Sequence, residues 1–137
     1  MMQRLLVSLV LLVLAACASE QAGMTAENVH IPQPVPGVSM GAAYLTLTNN
    51  SDQEISITRV SSPNLTSVEM HESTLQAGVS RMAKLQKVAI APRQSVVFEP
   101  GAKHLMLRYP AQMPNQITLQ FFADDALLLS IDTILED

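Results

Sequence analysis

Apolar and polar residues alternate through most of the chain beyond residue 40. In residues 43–48, Leu45 and Leu47 fall on one side of an extended segment, and Thr46 and Thr48 fall on the other. A period of two residues is typical of a β-strand that buries one face. The pattern predicts about eight or nine short strands, and no segment keeps a helical period for more than about two turns. The predicted strands cover residues 29–31, 43–48, 54–60, 67–71, 79–86, 95–98, 104–109, 116–122 and 127–134.

Turn-forming residues separate the predicted strands. Examples are Asn-Asn-Ser-Asp at 49–52, Ser-Pro-Asn at 62–64 and Pro-Gly at 100–101. Short strands joined by close turns are typical of a sandwich or a small barrel. A chain of 137 residues that is 48% apolar can bury one sizeable core. We therefore expect an all-β protein with a single domain.

The first residues have the pattern of an export signal. An apolar run at 5–16 follows Arg4, which fits a signal peptide and is short for a membrane-spanning helix. The run ends in Leu-Ala-Ala-Cys, which resembles the lipobox of bacterial lipoproteins. Cys17 is the only cysteine. We expect it to be lipidated, the alternative being a buried or incidental thiol.

These features predict three segments. Residues 1–16 are a lipoprotein signal peptide, residues 17–37 a lipidated N-terminus and a Pro- and Gly-containing tether, and residues 38–137 the folded domain. Such a protein would be anchored in the bacterial cell envelope and face the periplasm. Ala18 after the cysteine favours the outer membrane.

The charge argues against nucleic acid as a partner. The formal net charge is −4, with 8 Lys and Arg against 12 Asp and Glu. Removal of the signal peptide takes away Arg4 alone and makes the balance more negative. A protein that binds nucleic acid needs a basic surface.

Two histidines and two methionines have a distinctive spacing. His71 and Met82 are separated by ten residues, Met82 and His104 by twenty-one, and His104 and Met106 by one. In a strand, His104 and Met106 would project from the same face, with Leu105 directed to the core. Imidazole with thioether selects Cu(I) over hard cations. A blue-copper site is disfavoured, because it needs a cysteine thiolate.

This spacing resembles the signature of the PCuAC family of periplasmic copper chaperones. The flanking segments GAAYLTLTN, SSPNLTSVEMHES and HLML are similar to that family as well. The resemblance covers residues 38–135. It implies a Greek-key, cupredoxin-like β-sandwich that binds one Cu(I) per chain through His71, Met82, His104 and Met106.

The resemblance also implies a non-enzymatic role in delivering copper toward the copper centre of cytochrome c oxidase. The expected partners are the copper-donor or acceptor proteins of oxidase assembly, such as Sco-like proteins and oxidase subunit II. The lipid anchor would supply the contact with the membrane, and we expect a monomer.

Two other functions fit the same residues. One is copper buffering or resistance in the envelope, which would use the same ligands. The other is a structural β-sandwich lipoprotein without metal, because a single His or Met is more often a packing residue than a ligand. Met70 and Met113 are expected to pack, Met24 and Met40 to be incidental or soft secondary ligands, and His30 to lie on the surface.

Overall fold

The computed structural model of the protein describes residues 23–137, which form eleven β-strands. The predicted signal peptide, the lipidation site Cys17 and residues 18–22 of the predicted tether lie outside the described residues. The strands are β1 (Met24–His30), β2 (Met40–Asn49), β3 (Ile55–Ile57), β4 (Arg59–Ser61), β5 (Ser67–Gln76), β6 (Val79–Lys84), β7 (Val88–Ile90), β8 (Ser95–Phe98), β9 (Lys103–Arg108), β10 (Ile117–Ala123) and β11 (Ala126–Thr133).

The strands form one large sheet and two smaller ones. The large sheet has the order β1-β2-β9-β5-β6, and β8 also pairs with β2. The smaller sheets are β11-β10-β4 and the pair β3-β7. Strand β9 lies antiparallel between β2 and β5, both distant from it in sequence. Such long-range pairing is typical of Greek-key sandwiches. The prediction of an all-β Greek-key sandwich is confirmed.

One hydrophobic core lies between the sheets. In the large sheet, Leu45 and Leu47 of β2 and Leu105 and Leu107 of β9 are at most 1% exposed. Phe121 of β10 packs into the same cluster from a smaller sheet. Burial of each such side chain stabilises the fold by about 1.5–3 kcal/mol. The centre of the large sheet is therefore firmly held, and β9, which carries two predicted ligands, is part of it.

The folded domain begins earlier than residue 38. Residues Met24–His30 pair with β2, and the side chains of Met24 and Ile31 are 1% and 0% exposed. The segment then pairs with the end of the chain through Pro32 and Glu136. The alternation in β1 is broken because Asn28 has a φ of 53° and the register shifts between Glu27 and His30. The boundary predicted at residue 38 therefore moves to Met24.

Other strand bounds also differ from the prediction. The predicted strand 54–60 is two short strands, β3 and β4, and β7 is an additional strand. Strand β5 continues to Gln76, beyond the predicted end at His71, and its last three residues are exposed. Exposed strand residues do not alternate in polarity, so the pattern gives no signal there. No helix in residues 23–137 is long and apolar enough to cross a membrane.

Candidate metal centre

The four predicted ligands lie on neighbouring strands of the large sheet. His71 belongs to β5, Met82 to β6, and His104 and Met106 to β9. His71 pairs directly with His104. Met82 pairs with Ser73, two residues from His71. Paired residues, and residues two apart in a strand, share a face of the sheet. All four side chains therefore lie on the face opposite to the core, here called the outer face.

The outer face contains an open pocket next to the histidines. The imidazole rings of His71 and His104 have centroids 5.9 Å apart and planes tilted by 52°. The pocket has a volume of about 450 Å³ and is lined by Met82, His104 and Met106, among other residues. His71 is outside the lining and adjoins it through His104. The structure thus brings three predicted ligands into one pocket and places the fourth beside it.

The predicted ligands differ in their access to solvent. His104 is 6% exposed, whereas Met82, on the edge strand β6, is 54% exposed. The site therefore has an enclosed side on β9 and an open side on β6. A metal bound here would be held by side chains of β9 and would be accessible to solvent on the side of the edge strand β6.

A backbone hydrogen bond orients the His104 ring. Its Nδ1 lies 3.0 Å from the carbonyl oxygen of Ala102. A carbonyl oxygen only accepts, so Nδ1 carries the proton and Nε2 keeps its lone pair. Ala102 is held by the turn before β9, in which Gly101 has a φ of 80° and the Ala102 N–H donates to the Glu99 carbonyl. The turn thus leaves Nε2 of His104 available to a metal.

His71 has one nitrogen with a partner and one without. Its Nε2 lies 2.9 Å from Oε2 of Glu69, and Lys84 Nζ donates to Oε1 of the same carboxylate at 2.8 Å. The hydrogen bonds from Lys84 and from His71 lower the pKa of Glu69 to about 2. The Nδ1 of His71 is buried and has no hydrogen-bond partner in the described part of the chain. A buried nitrogen of this kind is unfavourable unless a ligand satisfies it.

The donors on the outer face suit a soft metal. Residues 23–137 contain no group of three or more His, Cys, Asp or Glu side chains that could hold a metal ion. A metal at this face would therefore depend on the thioethers of Met82 and Met106 as well as on the imidazoles. Two imidazoles and two thioethers favour Cu(I), because a thioether has little affinity for hard cations.

Comparison with protein families assigns the chain to one family. The LpqE-like family, which is named for lipoproteins, matches residues 24–126. The chain belongs to the LpqE-like family. The match begins at the first residue of β1, in agreement with the domain boundary in the structure. The chain is also similar to an uncharacterized protein from Rickettsia prowazekii (strain Madrid E). The two sequences are 32% identical over 109 residues. The alignment covers 71% of this chain and 60% of the relative, so the chain spans less than two thirds of the relative's length.

Solved structures with the same fold include PCuAC domains. The copper-bound PCuAC domain from PmoF2 has a TM-score of 0.65 and 20% identity, over 83% of this chain and 92% of that domain. The solution structure of apo-DR1885 from Deinococcus radiodurans has a TM-score of 0.57 and 21% identity, over 99% of this chain and 93% of that one. The cupredoxin-like sandwich implied by the PCuAC resemblance is thereby confirmed for the LpqE-like protein. At these identities the likeness establishes the fold.

Two features of the site go beyond the four predicted ligands. Met40 begins β2 and lines the pocket together with Tyr44. The continued alternation of Met40, Ala42 and Tyr44 along β2 is the signal that could have shown this. Glu69 contacts His71 from two positions earlier on β5. A carboxylate two residues before a candidate ligand in a strand is a usable signal, because both side chains share a face.

Met24, Met70, Met113 and His30 do not line the pocket that contains Met82, His104 and Met106. Met70 is 4% exposed and belongs to the core, as predicted, and Met24 is also a core residue. Met113 is 39% exposed and lines a separate pocket beside Tyr109. His30 is on the surface, as predicted, where it pairs with Glu136.

Proposed function

We propose that this LpqE-like protein is a non-enzymatic copper carrier that binds one Cu(I) through His71, Met82, His104 and Met106. The observation that carries the proposal is that these four side chains share one face of the sheet. Three of them, Met82, His104 and Met106, line one pocket, and the His71 ring lies beside it with its centroid 5.9 Å from that of His104. The donor set selects Cu(I), and the buried, unpartnered Nδ1 of His71 provides a site for a ligand.

The position of the site on the outer face of the sheet suits transport of copper. The sandwich has its own hydrophobic core on the other side of the sheet, so the fold does not need the metal. The open side at Met82 allows ligands of a partner protein to approach the metal while β9 still holds it. Redox catalysis would call for a tuned site, typically with a thiolate for electron transfer by copper.

The acceptor in this proposal is the copper centre of cytochrome c oxidase, reached through Sco-like proteins or oxidase subunit II. A neighbour in fold is described as a copper-bound PCuAC domain, which supports copper as the cargo. The family is named for lipoproteins, which supports a location in the cell envelope. Lipidation of Cys17 would keep the carrier at the membrane surface with its site toward the periplasm.

A Cu(I) titration tests the site. The chain from Ala18 onward is titrated anaerobically against a chromophoric Cu(I) chelator. One tight equivalent is expected for the wild type, and the His104→Ala, Met106→Ala double variant should lose most of the affinity while keeping its circular dichroism spectrum. The matched control is His30→Ala with Met113→Ala, which removes the same residue types outside the four ligands and should bind as the wild type does.

The outcome separates the candidate functions. Absence of Cu(I) binding by the wild type would support a structural lipoprotein and reject the proposal. If copper binds, a gene deletion distinguishes delivery from buffering, because low oxidase activity indicates delivery and copper sensitivity indicates buffering.

A further inference from the structure

Glu69 lies within the row of candidate ligands on the outer face. On β5 it is two residues from His71, and across β9 it pairs with Met106, as His71 pairs with His104. One carboxylate oxygen contacts His71 Nε2 at 2.9 Å, and the other accepts from Lys84 Nζ at 2.8 Å. Glu69 is therefore held from two sides next to the proposed copper site.

The contact determines which nitrogen of His71 carries the proton. An ionised carboxylate accepts hydrogen bonds and donates none, so Nε2 of His71 must be the donor. In the neutral ring, Nδ1 then has the lone pair. This is the nitrogen that is buried and has no hydrogen-bond partner within the described residues. A proton on Nδ1 would be left without an acceptor, which also favours the tautomer with Nε2–H.

We propose that Glu69, held by Lys84, is a positioning residue that fixes His71 as the Nε2–H tautomer and leaves Nδ1 as its copper-binding nitrogen. The inference rests on the proposed function for the metal, although its first part concerns the metal-free protein. Carboxylates that accept from a ligating histidine orient the ring and raise its basicity.

The two histidines would then bind copper through different nitrogens. His104 donates its Nδ1–H to the Ala102 carbonyl and presents Nε2. His71 donates its Nε2–H to Glu69 and presents Nδ1. The acceptor for His104 is fixed by the backbone, whereas the acceptor for His71 is a side chain and can be changed by substitution.

The first experiment reads the tautomers in the metal-free wild-type protein. Long-range ¹H–¹⁵N correlation spectra at alkaline pH distinguish a protonated ring nitrogen from an unprotonated one. We expect His71 as Nε2–H and His104 as Nδ1–H. A His71 ring with the proton on Nδ1 would overturn the proposal without any reference to copper.

The second experiment compares two glutamates that flank His71. Glu72 is also paired with a lysine, Lys103, at 2.8 Å and has a similar exposed fraction, but within residues 23–137 its hydrogen bond goes to Lys103 and not to His71. Glu69→Ala should mix the His71 tautomers and weaken Cu(I) binding about 10–100-fold, whereas Glu72→Ala should bind close to the wild type. Glu69→Gln, which retains an acceptor oxygen, should restore much of the affinity and the Nε2–H tautomer.

The outcomes distinguish this inference from the proposed function. If the wild type binds no Cu(I), the carrier proposal fails, and the tautomer spectra still decide the role of Glu69 in the metal-free protein. If the wild type binds Cu(I) but Glu69→Ala behaves like Glu72→Ala in both spectra and affinity, only the positioning role fails.

Discussion

At the scale of single residues, the side chain of Tyr109 leaves no room for a side chain at Gly41. A Cβ atom at position 41 would lie 2.8 Å from Cε2 and 2.9 Å from the hydroxyl of Tyr109. Tyr109 is 3% exposed, so its ring has little space to move. Burial also raises the pKa of its hydroxyl. Glycine is therefore required here for close packing.

Substitution of Gly41 by alanine should destabilise the protein. The added methyl group must displace Tyr109, and overpacking of this kind costs about 1–3 kcal/mol. The control is Gly23→Ala, because a Cβ there meets nothing within 4 Å. Urea denaturation of the wild type and of both variants measures the free energy of unfolding. Equal stability of the two variants would contradict the packing argument.

Glu69 gives a second prediction, which concerns pH. Its pKa is about 2 in the folded protein, against an ordinary value of 4.5. A lowered pKa means that the carboxylate stabilises the fold fully above pH 4.5, and that this stabilisation is lost as the pH falls toward 2. The wild type should therefore exceed Glu69→Gln in stability at pH 7, and the difference should shrink on acidification.

Denaturation curves of the metal-free proteins at pH 7, 4 and 3 would check this. Lys84→Ala, which removes the main cause of the lowered pKa, should show a weaker acid dependence than the wild type. Parallel stability profiles for the wild type and Glu69→Gln would refute the assignment.

At the scale of elements, the sequence predicted strands where one face is buried and the other is not. In β2 and β9 the alternation of Leu45 and Leu47, and of Leu105 and Leu107, follows the burial directly. The same alternation placed His104 and Met106 on one face. Their clustering with His71 and Met82 depends on strand order, which residue spacing alone does not determine. The family resemblance, and not the alternation, therefore indicated the four residues as one site.

Strand β6 was predicted at 79–86 and spans Val79–Lys84, but the end of β5 was missed, because no burial pattern marks it. Every residue of β6 is exposed, and so are the last three residues of β5. The contact between Glu69 and Lys84 was missed for a different reason. It depends on the pairing of β5 with β6, and a sequence pattern does not give that register.

Strand β1 gives the third prediction. Met24 is 1% exposed in the core, so β1 is part of the fold, although its sequence resembles a tether. Met24→Ala should lower the free energy of unfolding by about 2–5 kcal/mol, the usual cost of removing a buried side chain. Met113→Ala, at a site 39% exposed, is the control and should cost less. A small effect at both sites would mean that β1 contributes little to stability.

At the scale of the whole molecule, the sheet separates the proposed site from the core. The proposed ligands occupy the outer face, and Leu105, which lies between two of them on β9, packs inward. Changes to the ligands should therefore alter copper binding more than folding. In the proposed carrier, this separation would allow copper to leave while the protein remains folded.

The fourth prediction follows from this separation. Under the proposed function, binding of Cu(I) to the folded chain should add RT ln(1 + [Cu]/Kd) to the free energy of unfolding, or about 2.7 kcal/mol at one hundred times Kd, and so raise the melting temperature. Anaerobic calorimetry of the wild type should show the shift, and addition of a strong Cu(I) chelator should reverse it. The His104→Ala, Met106→Ala variant should melt at one temperature with or without copper. A shift of equal size in that variant would place the copper elsewhere.

The position of β6 at the edge of the large sheet has a kinetic consequence. Three of the proposed ligands are on interior strands, whereas Met82 is on a strand that pairs with β5 alone in the large sheet. Edge segments with few buried contacts open locally at a lower free energy than the interior of a sheet. Backbone amides of β6 should therefore exchange with deuterium sooner than those of β9. Copper would then be released in steps. Met82 would dissociate from the ion first, and the two histidines and Met106 would dissociate last.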